Sequence, residues 1–217
     1  MNTGIEDPRL AAEQRARVLI DRQLSAAGWS VQDKKDLNLF AAEGVACREA
    51  VMKSGHGRAD YLLYVDKQVV GVIEAKPEGT TLSGIEWQSA MYATGLPPEA
   101  QLRSVAIDGR LPFVFEASGT ETHFTNGYDP HPRARRLFNF PKPSTLAKAI
   151  RDAEQDPQNP TWRAKVRHLP PLDESPMRPA QITAIHGIEK SIADQHFDRS
   201  LVQMATGAGK TFTAVTE

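Results

Sequence analysis

Gly57-Arg58-Ala59-Asp60-Tyr61-Leu62-Leu63-Tyr64-Val65-Asp66-Lys67-Gln68-Val69-Val70-Gly71-Val72-Ile73-Glu74-Ala75-Lys76 is the stretch from which the fold can be read. Two runs rich in β-branched and aromatic residues, Tyr61 to Val65 and Val69 to Ile73, flank a polar turn at Asp66-Lys67-Gln68. That pattern predicts a β-hairpin. A hairpin brings the far ends of its strands together, so Asp60 and Glu74 are expected at the same end. Lys76 lies two residues beyond Glu74, and strand periodicity sends both to one face. Two hard oxygen ligands beside an ammonium suit a Mg²⁺ site with a charge stabiliser next to it. Such a constellation cuts phosphodiesters.

The spacing alone is not decisive. Asp33-Lys34-Lys35 is another acid-x-Lys triplet, and Glu74-Ala75-Lys76 taken by itself is equally a solvated strand end. The second carboxylate and the hairpin add weight, as does the segment that follows. Gly84 to Thr94 is predicted to be helical, ended by Gly95 with Pro97 just beyond. Gln88 and Tyr92 are spaced i, i+4 and share one face of that helix, where they could border the metal site.

A second constellation lies at the C-terminal end. Ser200-Leu201-Val202-Gln203-Met204-Ala205-Thr206-Gly207-Ala208-Gly209-Lys210-Thr211 reads as a short apolar strand running into a glycine-rich turn, with a helix starting at Phe212. Strand, loop and helix are the context a phosphate-binding loop requires. Glycines admit backbone N–H groups close to the phosphates, and a helix N-terminus favours negative charge. Lys210 is expected on the β- and γ-phosphates of ATP, and Thr211 on its Mg²⁺. Upstream, Arg178-Pro179-Ala180-Gln181 opens a helical run from Ile182 to Ile192.

Composition sets the outer bounds. A chain of 217 residues, 40% hydrophobic and 24% charged, is ordinary for a globular protein with room for one domain and part of another. A net charge of −1 gives no whole-chain polyanion footprint, so contact with nucleic acid falls to local patches. Arg133, Arg135 and Arg136 form one candidate; Arg163, Lys165, Arg167 and His168 form another. Either could equally be a solvated face. The lone Cys47 excludes a disulfide framework, and no Cys/His spacing suits zinc. Met1 to Pro8 lacks the apolar core of a signal peptide, and no apolar run reaches membrane-spanning length. A soluble, cytoplasmic protein without a membrane partner is the expectation.

The remaining elements outline a fold class. A helix begins at Asp7-Pro8, presents Ala12, Ala16, Leu19, Ile20, Gln23, Leu24 and Ala27 on its apolar face, and ends at Gly28. Ala41 to Met52 contains a strand with Arg48 and Glu49 near its start. Ser104 to Ile107, Pro112 to Glu116 and Glu121 to Thr125 read as further strands, with turns at Gly109 and at Ser118-Gly119. After Phe138-Asn139-Phe140-Pro141-Lys142-Pro143, another helix starts near Ser144 or Thr145. The pattern predicts an α/β fold, a mixed sheet flanked by helices. The boundaries read from it are a first domain over residues 1–150, a linker over 151–175, and the beginning of a nucleotide-binding domain over 176–217.

Asp60, Glu74-x-Lys76 and Gln88-x-x-x-Tyr92 resemble the RecB-like branch of the PD-(D/E)xK nucleases. Lys53 to Tyr64 with Gly71 to Lys76 resembles, more narrowly, the restriction (R) subunit of type I restriction-modification enzymes. Phe138 to Pro143 and Arg178 to Thr211 carry the same resemblance, so it spans most of the chain. Where the nuclease pattern has Pro-Asp, this chain has Ala59-Asp60. Met204-Ala205-Thr206-Gly207-Ala208-Gly209-Lys210-Thr211 is similar to motif I of superfamily 2 helicases and translocases, with Met204 in place of the first glycine.

The resemblance implies a restriction-endonuclease-like sheet followed by the start of a RecA-like domain. It implies a catalytic trio of Asp60, Glu74 and Lys76, supported by Gln88 and Tyr92, with Asp60, Glu74 and the Ala75 carbonyl on Mg²⁺. Glu13 is the best match for a further acid from the first helix, and is equally suited to a surface salt bridge. ATP would be held by Gln181 on adenine and by Thr206, Gly207, Gly209, Lys210 and Thr211 on the phosphates. Double-stranded DNA, and methyltransferase and specificity subunits, are the implied partners. Because the chain stops shortly after Thr211, it reads as a fragment that neither hydrolyses ATP nor translocates. Two other classes stay open: a nuclease–helicase of another repair or anti-phage system, and a non-cutting module that docks the motor.

Overall fold

The structure, a computed structural model, describes residues 8–51, 58–80, 82, 96, 98–107, 109–195, 197 and 199–216. The chain divides into two compact units, residues 1–128 with 132–152, and residues 129–131 with 153–217.

The first unit is built on one sheet of seven strands whose spatial order follows the sequence: β1 (Ser30–Asp33), β2 (Gly44–Val51), β3 (Arg58–Val65), β4 (Gln68–Ala75), β5 (Phe113–Ala117), β6 (Thr122–Asn126) and β7 (Arg135–Leu137). The pairs β1·β2 and β4·β5 are parallel and the other four antiparallel, which makes the sheet mixed. The chain enters the sheet from α1 (Pro8–Ala26), crosses from β4 to β5 by way of the short helix α2 (Pro98–Gln101), and leaves through α3 (Pro143–Gln155).

The central hairpin forms as its sequence predicts, with a tighter turn. Gln68 is already in β4, and Asp66 and Lys67 take φ of +47° and +69°. Positive φ at both central residues marks the two-residue type I′ turn, whose twist matches that of the flanking strands. The register then runs Val65↔Gln68 and Tyr64↔Val69, shifts by one residue, and continues Leu63↔Gly71 to Tyr61↔Ile73. The shift leaves Val70 as an extra residue, so the buried run of β4 feeds both faces of the sheet.

Both faces are covered, which explains why β3, β4 and β5 read as nearly continuous apolar runs. On one face Tyr61, Leu63, Ile73, Phe113 and Phe115 pack with Ile20 and Leu24 of α1 and with Leu146, Ala147 and Ile150 of α3. Phe115 stacks on Phe124 at 4.7 Å between ring centroids and lies 5.6 Å from Phe140. On the other face Leu62, Tyr64, Val72 and Val114 pack with Leu96, Ala100 and Leu111.

Several expectations are corrected. Leu19 is 37% exposed, because the buried stripe of α1 is the narrower one through Ala16, Ile20 and Leu24. Arg48 and Glu49 lie in the second half of β2, not near its start. Ser104 to Ile107 makes only isolated bridges, Val69↔Ser104 and Ile107↔Arg110, since β5 takes the place beside β4 along most of its length. Arg135–Leu137 forms β7, a strand that was not expected because it has too few apolar residues to be recognised.

In the second unit, α4 (Trp162–Lys165), α5 (Pro179–Glu189) and α6 (Lys210–Thr216) are the α-helices among the described residues, and α5 continues into a π-turn over Lys190–Asp194. Ser200 to Met204 is not a strand as expected, and Leu201 is 94% exposed. A strand requires a hydrogen-bonded neighbour, and no strand is described elsewhere in that unit.

Gly71 decides how closely β5 approaches β4. A Cβ at this position would stand 2.2 Å from the Phe113 carbonyl oxygen and 2.9 Å from Phe113 Cβ. Gly71→Ala is therefore expected to destabilise the first unit by about 1–3 kcal/mol, read from chemical denaturation. An unchanged midpoint would mean that β5 can shift freely.

Candidate functional site

The open end of the β3–β4 hairpin gathers charged side chains inside an otherwise apolar sheet. Continuing the register beyond Tyr61↔Ile73 sets Asp60 opposite Glu74. The Ala75 N–H donates to Asp60 Oδ2 at 2.8 Å, which fastens the two strand ends together. The side chains of Asp60 and Glu74 are only 12% and 16% exposed. Lys76 Nζ donates to Glu74 Oε1 at 3.0 Å, while the Lys76 N–H donates to the Ala117 carbonyl at 2.9 Å and pins the residue against β5. The structure thus brings Asp60, Glu74 and Lys76 into one site. Gln88 and Tyr92 lie outside the described residues.

Three further residues join the site. Arg17 of α1 pairs with Asp60 Oδ1 and reaches Glu49 Oε1 at 3.2 Å. It stands one helical turn after Glu13. Glu49 sits at the level of Asp60 between the pairs Arg48↔Tyr61 and Ala50↔Ala59, and its φ of +50° departs from the strand. Glu116 is the register partner of Glu74 across the parallel β4·β5 pair and is 5% exposed. Arg17 and Glu116 were missed because spacing along the sequence does not place them at the site. The one available signal was an acid inside the apolar run Phe113 to Ala117.

A network around Arg48 steadies the approach to Asp60. Arg48 pairs with Asp21 at 2.9 Å and with Asp33 at 3.0 Å, and the Tyr61 hydroxyl donates to Asp21 at 2.9 Å. These contacts raise the Arg48 pKa above the ordinary guanidinium value, led by the hydrogen bond to Asp21. Burial, the Asp21 charge and the hydrogen bond to Asp21 raise that of the Tyr61 phenol. The network ties α1 to β1, β2 and β3 and fixes the residue next to Asp60.

The carboxyls of the site are themselves perturbed. Burial raises the Asp60 pKa, and the negative charge of Glu74 adds to that; the Ala75 N–H and Arg17 oppose it. Burial also raises Glu116, with Glu74 adding and the Lys76 ammonium opposing. Carboxylates held under such conditions favour a nearby cation. Among the described residues no group of three or more His, Cys, Asp and Glu side chains could cage a metal. A cation here would rest on two carboxylates, main chain and water, which is how Mg²⁺ is commonly held.

The second unit contains the glycine-rich loop. Gly207 and Gly209 take φ of +79° and +84°, and α6 begins at Lys210. A Cβ at Gly209 would stand 2.3 Å from Gln181 Nε2. Gln181 is 4% exposed; its Oε1 accepts from the Arg178 N–H at 2.9 Å and its Nε2 donates to the Ala208 carbonyl at 3.1 Å. Lys210 Nζ donates to the carbonyls of Met204 and Ala205 at 2.9 and 3.2 Å. Gln181 and the loop are therefore one assembly. The Gln181 amide keeps one N–H and one lone pair for a further partner. Thr206 is exposed at the mouth of the loop, as is Thr211 at the start of α6.

Comparison with known proteins adds to this geometry. The family described as the second domain of the type I restriction enzyme EcoKI endonuclease subunit matches residues 30–128, which include Asp60, Glu74, Lys76 and Glu116 but not Arg17. Residues 174–217, with Gln181 and the glycine-rich loop, match the res subunit family of type III restriction enzymes. The EcoKI endonuclease subunit of Escherichia coli (strain K12) is 25% identical over 94% of this chain. That relative is, by its description, the endonuclease subunit of a type I restriction enzyme. The chain spans about a fifth of that relative, 21% of its length. The fragment structure of an HsdR subunit of a type I restriction enzyme from Vibrio vulnificus YJ016 is 24% identical, with a TM-score of 0.44, over 92% of this chain and 35% of that one. No helix among the described residues is long and apolar enough to cross a membrane.

The raised Glu116 pKa has a measurable consequence. A carboxyl whose folded pKa exceeds its unfolded value contributes stability below the unfolded pKa and loses it as pH rises through the folded one. Above its folded pKa Glu116 therefore no longer contributes the stability that its protonated form gives. Without divalent metal, Glu116→Gln is expected to melt above the wild type at pH 7, the gain vanishing below about pH 4. A variant that melts lower at pH 7 would contradict the direction given for Glu116.

Proposed function

We propose that the first unit is a Mg²⁺-dependent endonuclease for double-stranded DNA, working as part of an ATP-driven type I restriction enzyme. The observation that carries this reading is the convergence of Asp60, Glu74 and Lys76 at the open end of one hairpin, supported by relatives that are restriction endonuclease subunits. Asp60, Glu74 and the Ala75 carbonyl would hold the cation. Bound there, it supplies activation of the attacking water and stabilisation of charge on the scissile phosphate.

The chain's own residues do the rest. Asp60 is held in place by the Ala75 N–H and would exchange its Arg17 contact for the cation. Lys76, its main chain bonded to β5, would bring positive charge to the attacked phosphate. Gln88 and Tyr92 are the proposed supporting residues on the DNA. In the second unit Gln181 would read adenine, with Thr206, Gly207, Gly209, Lys210 and Thr211 around the phosphates of ATP. Methyltransferase and specificity subunits are the proposed partners. They would supply sequence recognition, and the setting would be the cytoplasm.

Titration of Mn²⁺ or Mg²⁺ into this chain by calorimetry tests the reading. One shared site is expected, with Asp60→Ala and Glu74→Ala each weakening binding beyond the roughly 10- to 100-fold that loss of a supporting group costs. Equal heats in all three proteins, with and without DNA, would sink the metal site. A module that docks the motor without cutting would then be the better reading.

A further inference from the structure

We propose that Glu116 is a positioning residue for Lys76, the carboxylate that receives its ammonium when Glu74 turns to the cation. The inference rests on the nuclease reading above and extends it to a residue outside the Asp60, Glu74 and Lys76 set.

Glu74 carries two demands. In the structure its Oε1 holds Lys76 Nζ at 3.0 Å, and in the proposed reaction the same carboxylate ligates a divalent cation. A carboxylate oxygen committed to a dication attracts an ammonium less, and the dication repels it. Lys76 then needs another anchor, or its flexible stem lets the charge swing into solvent.

Glu116 has the place and the state for that task. It pairs with Glu74 in the parallel register, so the two side chains share one face on neighbouring strands. The Lys76 N–H is bonded to the carbonyl of Ala117, next in the chain after Glu116, which fixes the root of the lysine side chain beside it. Glu116 lies in a strand that is buried throughout and is itself 5% exposed. Among the described residues it has no hydrogen bond and no ion pair, so its carboxylate can still accept an ammonium. His123, its partner across β5·β6, makes no such bond to it either. The charges that act on it are those of Lys76, which attracts, and Glu74, which repels. A mostly buried acid that feels the Lys76 charge and has no hydrogen bond or ion pair among the described residues is a second seat for that ammonium.

Cleavage by the complete restriction enzyme under single-turnover conditions is the main test. Glu116→Gln is expected to slow cleavage by about 10- to 100-fold, the scale of a misplaced catalytic group, with DNA affinity and translocation unchanged. Glu116→Asp should recover part of the rate. In the Lys76→Met background, Glu116→Gln should add nothing, because it acts through that lysine. Independent, multiplying effects of the two changes would overturn the proposal, as would wild-type cleavage by Glu116→Gln. Mn²⁺ calorimetry on this chain supplies a readout apart from activity. Glu116→Gln should keep the site that Glu74→Ala loses, and equal loss would make Glu116 a ligand instead. If Lys76→Met and Glu74→Ala themselves cut normally, the nuclease reading falls first, and this one with it.

Discussion

The hydrogen bond from the Ala75 N–H to the Asp60 carboxylate, 2.8 Å long, is the contact on which the candidate site depends. It crosses the mouth of the β3–β4 hairpin, where the ladder has run out of regular pairs, and replaces a backbone acceptor with a side chain. That exchange orients Asp60 and holds Glu74 beside it. The type I′ turn at the other end sets the register from which this follows, and the extra residue Val70 preserves the end-to-end match. A slip of one residue would send Glu74 to the opposite face.

Around that bond the unit tolerates an arrangement that is poor for stability. Asp60, Glu74 and Glu116 are mostly buried acids on three successive strands, and among the described residues Arg17 pairs with Asp60 and Lys76 with Glu74. Burial raises the pKa of Asp60 and Glu116, and Glu74 raises both further. An apolar residue at position 116 would suit the strand better, given its neighbours Phe115 and Ala117. Local conflict of this kind is expected where a site is built for a ligand rather than for the fold. The surrounding sheet carries the cost: two packed faces, the Phe115 and Phe124 stack, and the close approach at Gly71 hold the strands in place.

The hairpin, α1 and α3 could be read from local signals. Alternation, a run of apolar residues at helical spacing, and Gly28 at a φ of +90° each act within a few residues. Local signals failed where pairing decides the outcome. Ser104 to Ile107 has strand-like residues but bridges β4 only at Ser104, whereas Arg135 to Leu137 stood out only for its basic residues and forms an edge strand on β6. Ser200 to Met204 has the composition of a strand and no neighbour to pair with among the described residues of its unit.

The sequence by itself determined that two acids and a lysine would meet, because they lie within one hairpin and a hairpin is closed by short-range chemistry. It also determined the glycine-rich loop, since positive φ at Gly207 and Gly209 is a property of those residues. Only the tertiary structure decided that Arg17 and Glu116 complete the charged cluster. One arrives from a helix that precedes the sheet, the other from a strand reached by a long crossover, and both depend on packing between elements distant in the chain. Their placement is a matter of which surfaces bury each other, and spacing along the sequence does not encode that.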